Sequence, residues 1–146
     1  MELLGRVKNG NYEIFMFNDG TKIRKNDLDC FIPEKPESMD LKITNKCNMG
    51  CKFCHEDSKP NGKHGDIMNL KFIDTLLPYT ELAIGGGNPL EHPDLIKFLE
   101  KCKNNKLICN MTVNQVQFMK EQETIKKLIN EKLIWGLGVS LVYIND

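Results

Sequence analysis

Short runs of alternating apolar and polar positions, each closed by turn-forming residues, fill positions 1 to about 35. Asn9-Gly10 separates LLGRV from YEIFMF, and Asn18-Asp19-Gly20 precedes TKIR, so the pattern predicts a three-stranded antiparallel β-meander. Turn chemistry accounts for nearly every residue there, which makes this unit a cover sheet with no chemistry of its own. Pro33 and Pro36, in FIPEKPES, mark a linker. The predicted organisation is therefore a meander and linker over 1–36, followed by a core over 37–146.

Past the linker, strands alternate with amphipathic helices, the pattern of parallel βαβ units in an α/β fold. Ser38–Thr44 (SMDLKIT) is the first predicted strand, and a long cysteine-bearing loop follows it. Asn69 is placed to cap a helix in which Leu70, Ile73, Leu76 and Leu77 recur at helical spacing until Pro78. Leu82–Ile84 is a second strand running into Gly85-Gly86-Gly87. Pro93 opens a helix that turns Leu95, Phe98, Leu99 and Cys102 inward. The third strand is Leu107–Val113. A helix from Phe118 to about Glu131 carries Ile125, Leu128 and Ile129 inward, and Trp135–Tyr143 reads as a fourth strand. The chain shows no internal repeat beyond this rhythm and no low-complexity tract.

Composition narrows the function classes. Lys and Arg number 20, matched by 20 Asp and Glu, so the whole chain lacks the basic footprint of a nucleic-acid binder. A hydrophobic content of 40% over 146 residues suits one folded domain. The longest apolar stretch, Leu133–Ile144, is broken by Gly136, Gly138 and Ser140 and falls short of the ~20 residues of a membrane helix. No secretory signal is visible in MELLGRVKNG, so the expected compartment is the reducing cytoplasm. There the six cysteines are not read as a disulfide framework, and metal ligation becomes the better question.

Cys47, Cys51 and Cys54 stand at C-x3-C-x2-C spacing on the loop leaving the first core strand. Such a loop can wrap three thiolates around one centre, and three ligands on a cubane iron–sulfur cluster leave one iron open. An open position is what a catalytic metal keeps for its substrate. Other readings compete. A structural zinc ion needs a fourth ligand: His55 is too close to Cys54 in sequence, and His64, Cys30 or Cys109 serves only if the fold delivers it. Burial as small apolar groups suits Cys30, Cys102 and Cys109 but not three thiols within eight residues. A redox pair of Cys51 and Cys54 leaves Cys47 without a role.

Taken together, LKITNKCNMGCKFC resembles the cluster-binding segment of the radical S-adenosylmethionine (SAM) superfamily, including the aromatic Phe53 before the third cysteine. Gly85-Gly86-Gly87-Asn88-Pro89-Leu90 is similar to that family's glycine-rich motif, which contacts the methionyl amino group. Glycine there lets ligand and backbone approach without a Cβ between them. Thr112-Val113-Asn114 and Val139-Ser140-Leu141 look like the ends of the family's third and fourth strands. All four elements fall at carboxyl ends of predicted strands, the face where parallel α/β barrels build active sites.

The resemblance implies a partial (β/α) TIM-like barrel of about four βα strands preceded by the small meander, and it covers residues 38–144. It implies a 4Fe-4S cluster on Cys47, Cys51 and Cys54, with the open iron chelated by SAM. Reductive cleavage then yields methionine and a 5'-deoxyadenosyl radical that abstracts hydrogen from a small-molecule or peptide substrate. Phe53, Gly86, Gly87, Asn88, Asn114 and Ser140 are the implied cofactor contacts, for which strand-end capping is an equal reading of Asn114 and Ser140. Asn88 departs from the acidic residue usual at its position. It keeps a hydrogen-bond acceptor but loses Coulombic attraction for the ammonium group, while the Gly86 and Gly87 carbonyls retain theirs. An electron donor such as flavodoxin or ferredoxin is implied as partner. The family's barrel has more strands than this chain supplies, and the apolar last strand needs a neighbour, so a partner chain or homo-oligomer is expected. The alternative from another class is a non-catalytic iron–sulfur or zinc-binding module, truncated or dependent on a partner.

Overall fold

A computed structural model describes residues 1–28 and 30–141 as two sheets, one antiparallel and one parallel. β1 (Leu3–Asn9), β2 (Tyr12–Phe17) and β3 (Lys22–Lys25) form the meander in that order. Gly10, at φ +60°, supplies the left-handed turn between β1 and β2. Tyr12, Ile14 and Met16 alternate along β2 and bury one face.

β4 (Ser38–Thr44), β5 (Glu81–Gly86), β6 (Ile108–Asn114) and β7 (Gly136–Ser140) lie side by side, all parallel, in chain order. α1 (Leu95–Asn104), α2 (Gln115–Lys120) and α3 (Gln122–Asn130) make the crossovers after β5 and β6. Leu95, Phe98, Leu99 and Cys102 of α1 and Leu128 of α3 bury themselves with Leu82, Ile84, Met111 and Val113 of the sheet in one continuous core.

The meander is fastened at the amino end of the parallel sheet. Lys22 Nζ reaches Glu81 Oε1 at 2.6 Å, Arg24 pairs with Glu37 at 2.7 Å, and Tyr79 donates its hydroxyl to the Leu4 carbonyl at 3.1 Å. Burial alone would raise the Glu37 carboxyl, but hydrogen bonds from Arg24 and Tyr12 outweigh it and hold the group below the ordinary carboxylate value. The buried Asn9 side chain accepts from the Glu34 and Lys35 amides at 2.9 Å, tying the Pro33–Pro36 linker back onto β1.

Several predicted elements take a different form. The helix expected after Asn69 is two 3-10 turns, Ile67–Asn69 and Lys71–Thr75. Pro78 disfavours helical backbone at the residue before it, which leaves a segment too short for a stable α-helix. Asn69 does not cap a helix; it donates to Asp66 Oδ2 at 2.6 Å. Pro93 precedes the N-cap Asp94 and so lies outside α1. The single helix expected from Phe118 is divided at Glu121, and it begins earlier, at Gln115, because Asn114 and Gln117 form a reciprocal capping box. Ile129 is 52% exposed, on the outer side of α3, so only Ile125 and Leu128 turn inward. The fourth strand runs from Gly136 to Ser140, so Trp135 and Leu141 fall outside it, and positions 142–143 of the predicted strand lie outside the described residues.

Candidate functional site

The loop that leaves β4 at Asn45 is pinned at its base by its own returning limb. Gly65 N donates to the Ile43 carbonyl at 2.8 Å, Asn45 N to Lys63 O at 2.9 Å, Lys59 N to Asn45 O at 3.1 Å and Cys47 N to Lys59 O at 3.0 Å. Gly62 permits the approach, since a Cβ there would stand 2.0 Å from the Asn45 carbonyl oxygen. Beyond this base, Cys54 N donates to the Cys51 carbonyl at 3.2 Å, a turn that folds the second and third cysteines over the sheet.

The glycine-rich end of β5 clips onto the same loop. Gly87 N donates to the Thr44 carbonyl and Asn88 N to the Lys46 carbonyl, each at 2.8 Å. A Cβ on Gly86 would lie 2.2 Å from Thr44 O, and one on Gly87 would lie 2.2 Å from Lys46 O; Gly86 also has φ +113°. Gly85 faces open space. The physical requirement for glycine at 86 and 87 is thus close packing of two backbone segments, where the sequence suggested room for a ligand.

Between these segments and the sheet lies a cleft of about 580 Å³ at the carboxyl ends of the strands. Cys47, Cys51 and Cys54 line it together with Gly85, Gly86 and Gly87. Its floor is the face of the sheet turned away from the helices, where Asp40 and Lys42 of β4, Ala83 of β5 and Asn110, Thr112 and Asn114 of β6 follow one another at period two. Gly136 and Gly138 pair with Asn110 and Thr112 across β6 and β7, and a Cβ on either would press on those side chains at 2.9 and 3.1 Å. Their absence leaves the polar row room to point into the cleft.

Charge at the rim is paired. Lys42 Nζ meets Glu56 Oε2 at 2.5 Å, and that hydrogen bond holds the Glu56 carboxyl below its ordinary value despite partial burial. Behind the loop, Thr44 Oγ1 lies 2.9 Å from His64 Nδ1, and the His64 and His92 rings meet edge to face at 5.0 Å. Burial, then the charges of His92 and Lys46, hold His64 below the usual histidine value. His92 in turn binds the Gly65 carbonyl through Nε2 at 2.9 Å, so the imidazole pair joins the returning limb to the segment after Gly87.

The sequence-predicted residues divide into two groups. The three cysteines, Gly86, Gly87, Asn114 and Ser140 share the cleft. Phe53 is 97% exposed and outside its lining, and Asn88, 4% exposed, turns its side chain to the Leu90 amide and Glu91 Oε1. Asn114 is also the N-cap of α2. Among the residues lining the cleft that were not expected as cofactor contacts are Asp40, Lys42, Asn110, Thr112 (named only as part of the third-strand end) and Gln117. The first four carry a legible signal, being polar positions in phase along strands whose alternate residues are apolar. Gln117 carries only the N-x-x-Q capping spacing.

The candidate donors, Cys47, Cys51 and Cys54, are all sulfur, and among the described residues the other cysteines and His64 are placed elsewhere. Cys109 and Cys102 are buried in the core, and their mutual hydrogen bond and burial push the Cys109 thiol far above its ordinary value. Cys30 lies exposed in the linker, and His64 is engaged by Thr44. Among the described residues, no three His, Cys, Asp or Glu side chains converge on a point as ligands of a single ion. A cubane asks for a different arrangement, since each thiolate binds its own iron around a larger body; three cysteines lining one cleft fit that donor chemistry, which would leave one iron open.

Comparison with known proteins agrees with this chemistry. A probable GTP 3',8-cyclase of Methanococcus maripaludis strain C6 is 31% identical over 96 residues, 61% of this chain and 32% of the relative. An uncharacterized protein of Methanocaldococcus jannaschii is 36% identical over 98 residues, 64% of this chain and 32% of that protein. A probable GTP 3',8-cyclase of Methanothermobacter thermautotrophicus is 30% identical over 71 residues, covering 46% and 23% of the two chains. This chain therefore spans about a third, or less, of the length of these curated relatives. Residues 41–146 match the Radical SAM superfamily, and with this match over most of the chain, the protein belongs to that superfamily.

Proposed function

We propose that this chain is the amino-terminal catalytic portion of a radical SAM enzyme, with residues 37–146 as a partial (β/α) barrel core and 1–36 as an accessory meander and linker. The observation that carries the reading is the meeting of all three loop cysteines and Gly85–Gly87 in one cleft at the carboxyl ends of parallel strands. Cys47, Cys51 and Cys54 would hold a 4Fe-4S cluster. The chemistry supplied there is reductive cleavage of SAM to methionine and a 5'-deoxyadenosyl radical, which takes a hydrogen atom from the substrate.

The chain's own residues bind, orient and shield. The backbone at Gly86 and Gly87 is the proposed seat of the SAM amino group, held against the cysteine loop by the Gly87–Thr44 and Asn88–Lys46 hydrogen bonds. Asn114 and Ser140, opposite each other on β6 and β7, are placed to hydrogen-bond ribose or carboxylate oxygens. Phe53 takes part through its backbone or through a loop movement, since its ring faces solvent. Asn88 acts through its backbone, because its side chain is committed to the turn that follows.

Flavodoxin or ferredoxin is the proposed type of electron donor, in a cytoplasmic setting where thiols stay reduced. Among the described residues no helix is long and apolar enough to cross a membrane. A further strand, from additional sequence, a partner chain or a second copy, would cover β7. The substrate is proposed to be a small molecule or peptide, and GTP is the first to try, since two of the relatives are probable GTP 3',8-cyclases.

Anaerobic reconstitution with iron and sulfide tests the reading. About four irons per chain, an EPR spectrum of the reduced protein altered by SAM, and chromatographic detection of 5'-deoxyadenosine are expected. Cys51→Ala should abolish deoxyadenosine formation while leaving the fold intact. Zinc uptake without cluster formation would overturn the proposal.

A further inference from the structure

Gln117 lies in the first turn of α2 at 6% exposure, and its side chain faces in two directions. Its backbone N–H donates to Asn114 Oδ1 at 2.9 Å, and its Oε1 accepts from Asn114 N at 3.5 Å, completing the capping box. Its Nε2 stands 3.6 Å from Cys47 Sγ, across the cleft wall from a loop 70 residues earlier in the chain. A capping box accepts either Glu or Gln at this position. Only Gln carries an N–H donor toward the sulfur; Glu would set a carboxylate against a thiolate, a repulsive pairing in a partly dry site.

We infer that Gln117 is a positioning residue for Cys47, its side-chain amide donating to Cys47 Sγ and thereby setting the reduction potential of the cluster that this thiolate holds. The inference rests on the cluster-binding reading above. An N–H donor directed at a ligating sulfur stabilises added negative charge, so it favours the reduced state and raises the potential. The cap fixes the donor: Oε1 is occupied by Asn114 N, which turns Nε2 toward the cysteine. One side chain therefore couples the start of α2 to the cysteine loop.

The test compares Gln117→Glu, which keeps the Oε1 acceptor but loses the amide donor, with Gln117→Met, which loses both and adds no charge. The full chain is reconstituted anaerobically, iron is counted, and the midpoint potential is read by EPR-monitored redox titration without SAM. Both variants should shift to more negative potentials, Glu further than Met. An exchangeable proton coupled to the reduced cluster in the parent, seen by electron–nuclear double resonance, should be lost in both. Thermal stability should fall mainly in Gln117→Met. If Gln117→Glu matches the parent in iron content, potential and proton coupling, Gln117 only caps α2 and the inference is overturned. The same conclusion holds if Gln117→Met merely fails to take up iron while Gln117→Glu keeps the parent potential. If the parent itself takes up no cluster, the iron count shows that the underlying reading has failed before any potential is compared.

Discussion

The two faces of the parallel sheet are built from neighbouring residues of the same strands, yet they do opposite things. On the helix-covered face Leu82, Ile84, Met111 and Val113 are buried with Phe98, Leu99 and Leu128. On the other face Asp40, Lys42, Ala83, Asn110 and Thr112 form the floor of the cleft. Strands of a parallel sheet covered on both sides read as nearly continuous apolar runs. SMDLKIT and ICNMTVN alternate instead, so the second face turns polar side chains toward the cleft. The buried core lies on one side and the candidate site on the other, and strand phase divides them.

That division is broken most severely from the covered side. Phe98→Ala should cost about 3–5 kcal/mol in urea unfolding, because the ring is wholly buried and its removal leaves a cavity. Thr112→Ala, on the exposed side of β6, should stay within about 0.5 kcal/mol. Comparable losses at the two positions would show that the open face also carries the fold. Gly87→Ala probes the rim where the faces meet: its Cβ would collide with Lys46 O, and overpacking of this kind costs about 1–3 kcal/mol. Since that contact also anchors the loop base, SAM binding measured by calorimetry should weaken in the same variant.

A smaller effect comes from pH. With the folded value of His64 lowered, its neutral form supports stability fully above the ordinary histidine pKa, and that support is lost as pH falls through the lowered value. Neutral Nδ1 can accept from Thr44, whereas the protonated ring cannot and also faces His92 and Lys46. Unfolding titrations of the metal-free chain from about pH 7.5 to about pH 5 should show a steeper loss for the parent than for His64→Asn. Parallel curves would place the acid sensitivity elsewhere, at the seam held by Glu37.

Much of this was readable in the chain. Asn9-Gly10 and Asn18-Asp19-Gly20 mark the meander turns, and Ser38–Thr44 coincides with β4. The spacing of Cys47, Cys51 and Cys54 identifies the loop that carries the thiols. The failures have local causes. Leu70, Ile73, Leu76 and Leu77 mimic a helix, but the nearby Pro78 leaves it no length in which to form. Ile129 fits the apolar phase of its helix, but the described partners cover only Ile125 and Leu128.

Periodicity and turn chemistry are local properties, so the residues alone established the order of strands, the meander and the loop that carries three closely spaced cysteines. Which groups meet depends on contacts between distant segments. Gly86 and Gly87 are small because the β4 loop crosses them, Asn88 is turned away from the cleft by its own cap, and Gln117 reaches Cys47 because parallel strands bring their carboxyl ends together. Those pairings arise from register and packing, which no single stretch of sequence contains.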